Sequence, residues 1–313
     1  MTDLYFRENG TFTIVQFTDL HWKNGEPEDL RTYSLMKLIL QLESPDLVIF
    51  TGDVIFSEEC EEPFDSYRNA IKVVEEFNIP WAAVFGNHDA EEKCSKEDLI
   101  RLQQEHQYCL TEAGPELDDR FGNYMFRINS KKYNTPLAAI YMFDSGSYLY
   151  HPVGGYEWIT HKQIGWYKEK SKQLTENNEG IPLLSLAFFH IPLPEYNEVW
   201  NYHTCYGHNY EGMGCPEVNS GLFTAFLEMD DVKGVFVGHD HINDFWGKLH
   251  GINLCYGRAT GYNTYGKEGF PRGARIIRLE EGEDSYKSWI RLDDGTKIVN
   301  QQEHAPEHVW KRI

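Results

Sequence analysis

The sequence predicts an α/β protein with polar side chains gathered where its strands end. Short apolar runs alternate along the 313 residues with longer amphipathic stretches, a pattern typical of strands alternating with helices. Hydrophobic residues make up 41% of the chain and charged residues 25%, which is the balance of a folded globular protein. Since no repeat, low-complexity tract or linker divides the chain, we expect one domain over residues 1–313.

Eight apolar runs predict the strands, and each is five to eight residues long. In chain order they are 11–18, 46–51, 81–85, 123–129, 137–143, 183–189, 232–237 and 252–256. The run 46–51 (DLVIFT) has almost no polar alternation, which indicates a strand buried on both faces. The last stretch, 273–292, alternates in polarity and predicts a closing hairpin around Glu281-Gly282.

Helices are predicted between the early strands. Amphipathic stretches at about 29–43 and 64–77 are the first two, and Ser44-Pro45 ends the first. Ser95 is a typical N-cap, with Asp98 three residues later, so a third helix should continue to about residue 106. Residues 192–221 are rich in Asn, Tyr, Gly, His and Pro and have little periodicity, which predicts a long functional loop.

Asp, His or Asn residues follow five of the predicted strands, at the position where open α/β sheets bind ligands. The segments are Asp19-Leu-His21, Gly52-Asp53, Gly86-Asn87-His88-Asp89, His190 and Gly238-His239-Asp240-His241. Their oxygen and imidazole donors include no thiolate, which suits Zn, Mn or Fe better than a soft-metal centre. Each segment alone is common, but the ordered set predicts a metal site.

The number of candidate ligands suits two metal ions. If one carboxylate bridges the ions, seven residues provide four protein ligands to each of them. These residues are Asp19, His21, Asp53, Asn87, His190, His239 and His241. Two divalent ions and two aspartates together carry about +2, which would attract a phosphate ester to a chain of net charge −20. Such a pair holds phosphoryl oxygens, supplies hydroxide at neutral pH and stabilises an in-line displacement.

These motifs resemble those of the calcineurin-like metallophosphoesterase superfamily, over about residues 11–278. The segments FFHIPLPEY and GHDHINDFWGKLHGINLCYGRATGYNTYG are similar to a narrower branch. That branch includes the purple-acid-phosphatase-29-like proteins of plants and the dose-dependent cell-cycle-regulator phosphatase of yeast. The resemblance implies a four-layer sandwich of two mixed β-sheets flanked by helices, with a dinuclear metal site on the strand-end loops.

The resemblance also implies how the ligands divide between the ions. The first ion would be bound by Asp19, His21, Asp53 and His241. The second ion would share Asp53 and would be completed by Asn87, His190 and His239.

Two further positions follow from the same resemblance. His88 matches the histidine that contacts the phosphate and protonates the leaving oxygen, so it is the predicted catalytic residue. Purple acid phosphatases carry GDxxY, whose tyrosinate binds Fe(III), but Phe56 stands at that position in this chain. We therefore expect two divalent ions, Mn, Zn or Fe(II), as the cofactors.

The expected function is hydrolysis of phosphate esters by direct attack of metal-bound hydroxide, with no phosphoenzyme. A phosphomonoesterase is expected; the alternatives are a phosphodiesterase acting on a small molecule and a catalytically silent metal-binding scaffold. The expected partner is a small phosphorylated substrate or a phosphoprotein. Nucleic acid is not expected, because a groove that follows its backbone needs basic residues and this chain has a net charge of −20.

A cytoplasmic protein without membrane contact is expected. No segment approaches the roughly 18–20 consecutive apolar residues of a membrane span. The first residues lack the basic start and apolar run of a secretory signal. The six cysteines are scattered without a CxxC pair, which favours free thiols.

Three residues outside the metal motifs are candidates for substrate contact. His203 and His208 lie in the predicted loop 192–221, from which either could reach a phosphate. Arg258 lies in a Gly-rich stretch, where a guanidinium could clamp phosphate oxygens. The alternatives are solvated histidines and an ordinary turn.

Other residues near the motifs have two interpretations. Asp89 could orient His88 or cap the next helix, and Asp240 could hydrogen-bond a ligand histidine or be solvated. Packing in a helix or core is expected for four aromatic residues, Tyr156, Trp158, Trp166 and Tyr167.

Overall fold

Strands and helices alternate through residues 4–306, the part of the chain that this computed structural model describes; positions 1–3 and 307–313 of the predicted domain lie outside it. The strands are β1 (Leu4–Tyr5), β2 (Thr11–Phe17), β3 (Leu47–Thr51), β4 (Trp81–Val84), β5 (Tyr124–Asn129), β6 (Pro136–Met142), β7 (Leu184–Phe188), β8 (Cys205–Tyr206), β9 (Val232–Val237), β10 (Trp246–Leu249), β11 (Ile252–Tyr256), β12 (Gly273–Glu280), β13 (Tyr286–Leu292), β14 (Lys297–Ile298) and β15 (Glu303–His304). The helices are α1 (Pro27–Glu43), α2 (Pro63–Glu76), α3 (Lys96–Gln104), α4 (His161–Asn177), α5 (Glu195–Tyr202) and α6 (Leu222–Met229).

The strands form two mixed sheets, a six-stranded sheet of order β14-β13-β12-β2-β3-β4 and a nine-stranded sheet of order β1-β5-β6-β7-β9-β11-β10-β8-β15. In the smaller sheet β2, β3 and β4 are parallel, and β12 joins β2 in the antiparallel sense. In the larger sheet β6, β7, β9 and β11 are parallel. Each parallel block therefore sends the loops that follow its strands to one edge of its sheet.

Apolar clusters on both faces of each sheet establish the layers. Successive strand residues point to opposite faces, so Ile14 packs between the sheets while Val15 packs in the cluster that contains residues of α1, α2 and α3. In the other sheet Met142 packs between the sheets and Tyr141 packs with α4, α5 and α6. All four side chains are 0% exposed, and burying each of the three aliphatic ones, Ile14, Val15 and Met142, stabilises the fold by about 1.5–3 kcal/mol. The result is the predicted four-layer sandwich, with helices on both outer faces.

The predicted strands are confirmed more closely than the predicted loop. Strands 232–237 and 252–256 coincide with β9 and β11, and the Ser95 Oγ accepts a hydrogen bond from the Asp98 N–H to cap α3. The loop predicted over 192–221 is wrong in part, because α5 and β8 lie within it.

Three short elements, α5, α6 and β10, were not predicted from the sequence, and the reason is physical. Helix α5 has only two buried residues, Tyr196 and Val199, too few to establish a period. Helix α6 (LFTAFLEM) is eight residues long and six of them are apolar, so its sequence also resembles a short buried strand. Strand β10 (WGKL) is four residues long. Within residues 4–306, no helix combines the length and apolar character that crossing a bilayer requires.

Candidate metal centre

The seven predicted ligands lie in the loops that directly follow strands of the two parallel blocks. Asp19 and His21 follow β2, Asp53 follows β3, Asn87 follows β4, His190 follows β7, and His239 and His241 follow β9. Every one of these side chains is buried, with exposures from 0% to 8%. Burying so many polar and ionisable groups is costly unless they bind one another or a cation.

The ligand atoms form two groups that share Asp53. One group has ligand atoms within 4.8 Å of one another, from Asp19, His21, Asp53 and His241. The other group meets the same limit with Asp53, His190 and His239. The Asp53 Oδ2 atom lies 3.4 Å from His21 Nε2 and 3.2 Å from His190 Nε2. Asp53 therefore stands between the groups, where one carboxylate can contact two ions.

The imidazole nitrogens and the amide oxygen of this cluster fit cations. The Nε2 atoms of His21 and His241 face each other at 3.2 Å, and His239 Nδ1 faces His190 Nε2 at 3.2 Å. The Oδ1 atom of Asn87 is buried and has no hydrogen-bond partner within residues 4–306. A buried amide oxygen without a donor and facing imidazole nitrogens are satisfied when a metal ion lies between them.

The backbone of the ligand loops is strained. Asp19, His21, Asp53 and His239 have positive φ angles of 54°, 48°, 49° and 78°. Such conformations cost on the order of 1–3 kcal/mol in a non-glycine residue and concentrate at functional sites. The loops also approach very closely, since a Cβ atom on Gly86 would lie 2.1 Å from Asp53 Oδ1. A glycine is therefore required in the Gly86-Asn87-His88-Asp89 motif.

Burial and neighbouring charges set the charge states of the ligands. Burial lowers the pKa of His21 and of His239 to about 3, so both imidazoles are neutral and keep a free lone pair. Burial raises the pKa of Asp53, but the charge and hydrogen bond of His190 outweigh it and hold that pKa well below its usual range. Burial likewise lowers the pKa of His190, but Asp53 raises it to about 10. A metal ion binding at His190 would displace a proton from this imidazole, because a ligand histidine must be neutral.

Asp89 fixes the two loops that carry Asp53 and Asn87 against each other. Its carboxylate accepts hydrogen bonds from the backbone N–H groups of Gly86, Asp53, Val54 and Ile55, at 2.8 to 3.1 Å. Neither role considered from the sequence, orienting His88 or capping a helix, matches these contacts. Asp89 is a positioning residue for the ligand loops.

His88 lies beside the cluster and is held at both ring nitrogens. Its ring centroid is 5.3 Å from that of His21, Nδ1 lies 3.0 Å from Glu91 Oε1, and Nε2 lies 3.3 Å from Tyr148 Oη. Burial lowers the pKa of His88, but the hydrogen bond to Glu91 outweighs it, and the net shift is upward. A raised pKa keeps a larger fraction of the imidazole protonated, as a proton donor requires.

The sequence analysis overlooked both partners of His88. Glu91 stands three residues after His88, and this spacing within one turn is a signal that could have identified it. Tyr148 lies sixty residues away, and no local pattern connects it to the motif. The Oη of Tyr148 also accepts a hydrogen bond from Asn87 Nδ2 at 3.0 Å.

Comparison with known protein families identifies the chain. The calcineurin-like phosphoesterase family matches residues 12–243, well over half of the sequence. The chain belongs to the calcineurin-like phosphoesterase family. The resemblance seen in the strand-end motifs is thereby confirmed.

Relatives and a solved structure agree with this assignment. This phosphoesterase is 36% identical over 330 residues to the "Probable inactive purple acid phosphatase 29" of Arabidopsis thaliana, covering 93% of this chain and 85% of that protein. It is 32% identical over 326 residues to "Phosphatase DCR2" of Saccharomyces cerevisiae, covering 93% of this chain but 55% of that protein. A dimetal phosphatase from Danio rerio has the same fold, with a TM-score of 0.58 at 12% identity over 88% of this chain and 98% of that chain.

Asp240 connects the turn that carries two ligand histidines of the phosphoesterase to a neighbouring loop. Its carboxylate accepts hydrogen bonds from Tyr256 Oη at 2.5 Å and from the Gly214 N–H at 3.1 Å. Burial raises the pKa of Asp240 to about 7. Neither a ligand histidine nor bulk solvent is its main partner, so both interpretations from the sequence need correction.

The three predicted substrate contacts are not gathered at the metal centre of the phosphoesterase. Arg258 is 3% exposed, and its Nη1 atom lies 2.6 Å from Asp244 Oδ2. His208 faces the same carboxylate, with Nδ1 3.5 Å from Asp244 Oδ1. His203 ends α5, and its N–H donates to the Val199 carbonyl. The geometry therefore supports a structural role for Arg258 and His208, and substrate contact by His203 stays a prediction.

Replacing Arg258 by Ala is expected to lower the free energy of unfolding by about 3–5 kcal/mol, because Asp244 would stay buried without its charged partner. Urea unfolding of the native and variant proteins measures this loss. Arg68→Ala is the matched control: Arg68 pairs with Asp65 and Glu105 at 43% side-chain exposure, and such a surface pair contributes about 0–1 kcal/mol. If both variants lost the same small amount of unfolding free energy, the proposed stabilisation by the buried Arg258–Asp244 pair would be wrong.

Of the four aromatic residues expected to pack internally, Trp166 and Tyr167 belong to α4 and lie in the core with residues of α5 and α6. Tyr156 does not, because its ring stands over the ligand His239, with 4.5 Å between centroids. Tyr156 was predicted to lie in the core, but its ring borders the metal centre.

Proposed function

We propose that this calcineurin-like phosphoesterase hydrolyses phosphate monoesters, using two divalent ions of Mn, Zn or Fe(II) held by the seven strand-end ligands. The observation that carries the proposal is the shared Asp53 carboxylate, flanked by two buried ligand groups with His88 beside them. The Arabidopsis relative is named "probable inactive", but the donor set of this chain supports a working centre. The name of the yeast relative, a phosphatase, supports the same reaction.

Bound ions would supply the positive charge that holds phosphoryl oxygens and would lower the pKa of water to provide a nucleophile near neutral pH. Asp53 and the other six ligands would hold the two ions, with Asp53 shared between the two groups. Asp89 would keep the Asp53 and Asn87 loops in register through its four backbone hydrogen bonds.

His88 provides the proton. Its Nδ1 is occupied by Glu91, which orients the ring and stabilises the imidazolium, and its Nε2 is the remaining ring nitrogen, 3.3 Å from Tyr148 Oη. Nε2 would donate its proton to the ester oxygen as the bond to phosphorus breaks. The side chain is 21% exposed, so solvent can return the proton for the next cycle.

A monoester is favoured by the position of Tyr148. Its hydroxyl contacts both Asn87 Nδ2 and His88 Nε2, so Tyr148 narrows the space beside His88 to that of one ester substituent, the leaving group. The proposed substrate is a small phosphorylated molecule or a phosphoprotein in the cytoplasm. A net charge of −20 supports this over nucleic acid.

Metal add-back to stripped protein tests the proposal. Mn, Zn, Fe(II) and Mg are added singly, and hydrolysis of p-nitrophenyl phosphate is compared with that of bis-p-nitrophenyl phosphate. We expect metal-dependent turnover with the monoester preferred. Preference for the diester would indicate a phosphodiesterase. No turnover with about two ions bound per chain would indicate a silent metal-binding scaffold.

A further inference from the structure

Three tyrosines from two separate loops stand around the mouth of the metal centre. Tyr156 presents its ring at 90° to His239 with 4.5 Å between centroids, and Tyr265 lies 4.3 Å from the ring of His241. Tyr148 lies 5.5 Å from Tyr156 and 5.9 Å from His88. Tyr148 and Tyr265 are 38% and 55% exposed and Tyr156 is partly buried, so the three rings touch the centre and still face solvent. We name Tyr148, Tyr156 and Tyr265 the tyrosine collar.

The hairpin that carries Tyr148 and Tyr156 is anchored at its base. Backbone hydrogen bonds close the hairpin between Leu149 and Gly155 and between Ser147 and Glu157. The Glu157 carboxylate accepts the Ser147 N–H at 2.8 Å and lies 3.0 Å from the buried Arg120 guanidinium. Because the base is fixed by a charge pair, the two rings are held over the centre.

Tyr265 is anchored from the opposite side. Its hydroxyl donates to Glu211 Oε2 at 2.5 Å, and Glu211 Oε1 accepts the Ile242 N–H at 2.7 Å. The Arg272 guanidinium donates to the backbone carbonyls of Thr264 and Tyr265. The ring that covers His241 is therefore part of a hydrogen-bonded network.

The side chains near the collar do not favour a second anionic group. The guanidinium N–H groups of Arg272 donate hydrogen bonds to backbone carbonyls, including that of His241. Lys23 forms an ion pair with Glu59. Glu211 and Glu91 add carboxylates on the two sides of the centre. The carboxylates of Glu211 and Glu91 would repel a leaving group that has its own phosphate or carboxylate. The cations Arg272 and Lys23 would not offset this repulsion, because both already have partners.

We propose that the tyrosine collar binds the leaving group of an aryl phosphate monoester, with a ring that is neutral or cationic. This inference rests on the proposed function and deepens it. Tyr156 and Tyr265 lie within 4.5 Å, centroid to centroid, of the ligand histidines His239 and His241, so a group that contacts these two rings lies next to the ester oxygen. Aromatic pairs with centroids 4.5–7 Å apart attract one another beyond simple burial, and contacts to two rings would strengthen binding by about tenfold.

The bond changes are those of the hydrolysis already proposed. The oxygen of water bonds to phosphorus and loses one proton to solvent. The bond from phosphorus to the aryl oxygen breaks with its electron pair on that oxygen, His88 protonates that oxygen, and His88 regains a proton from solvent. The products are inorganic phosphate and a phenol.

Calorimetric titration of the Mn-loaded protein tests the collar without requiring turnover. The probes are phenylphosphonate, methylphosphonate and 4-carboxyphenylphosphonate, in which no ester bond can be hydrolysed. We expect phenylphosphonate to bind at least about tenfold more tightly than methylphosphonate and more tightly than its carboxylated analogue. Tyr156→Leu and Tyr265→Leu should each reduce the ratio of phenylphosphonate affinity to methylphosphonate affinity severalfold.

Tyr150→Leu is the matched control, because Tyr150 lies on the same hairpin and is 99% exposed. It should keep the full phenyl preference. Equal affinities for phenylphosphonate and methylphosphonate, or an unchanged preference in both collar variants, would overturn the collar alone. Failure of every phosphonate to bind a protein that holds two ions would overturn the proposed function together with the collar.

Discussion

Replacing Asp53 by Asn is expected to reduce kcat/KM for p-nitrophenyl phosphate by on the order of 10³-fold or more and to lower the bound metal from about two ions per chain. Asp53 Oδ2 lies within 3.4 Å of imidazole nitrogens from both ligand groups, so it is the side chain placed to hold both ions. An amide at this position carries no charge and would give up the electrostatic attraction of a shared carboxylate. Several kcal/mol of transition-state stabilisation depends on two ions bound at a fixed separation.

Metal content by elemental analysis and steady-state kinetics, measured on the same preparation, check this prediction. Asp294→Asn removes the same charge from an exposed loop and should leave metal content and turnover unchanged. Urea unfolding of the metal-free proteins shows whether the Asp53 variant still folds. Two ions and native turnover in the Asp53→Asn protein would exclude Asp53 as a shared ligand.

Replacing His88 by Asn is expected to slow hydrolysis of an alkyl phosphate such as glycerol phosphate by about 10²–10⁴-fold, the usual contribution of a general acid. The loss with p-nitrophenyl phosphate should be much smaller, because p-nitrophenolate leaves without needing a proton. The measurement is kcat/KM for both esters with the native and variant proteins, each loaded with the same metal.

The Glu91→Gln variant separates two effects of Glu91 on His88: raising the pKa of the imidazole and holding the ring in position. The amide can still accept a hydrogen bond from His88 Nδ1, which now lies 3.0 Å from a carboxylate oxygen. The ring should stay in place, but without the negative charge the pKa of His88 should fall. We expect a loss of about 10–100-fold for the alkyl ester, the usual range for a residue that supports a catalytic group. Equal losses with both esters in His88→Asn would show that His88 positions the phosphate and does not protonate the leaving group.

The strand-end motifs could be predicted because they depend on local patterns. A buried strand is a short apolar run, and the first polar residues after it are identified by reading a few positions further along the chain. Strands β9 and β11 matched their predicted bounds for that reason. The order of the motifs then allowed the family resemblance, and the resemblance supplied the sandwich that alternation alone could not specify.

The errors in the prediction come from long-range partners. Arg258 was considered for phosphate binding because a guanidinium suits a phosphate, but the fold places it against Asp244 with 3% of its surface exposed. Tyr156 was assigned to the core because it lies among aromatic residues, but the hairpin turns its ring onto His239. In both cases the residue type was compatible with several neighbours, and packing decided among them.

The sequence by itself therefore determined the α/β class, the buried strands and the set of polar residues at their ends, because hydrophobic period and motif order are properties of neighbouring positions. Tertiary structure decided how those residues are supported. The contacts of Tyr148 with His88 and of Tyr265 with Glu211 span sixty and fifty-four positions, and the path of each loop between them is set by how it packs on the sandwich. Loop paths leave no period in a sequence, so the partners of His88 and the collar around the metal centre emerge only when the chain is folded.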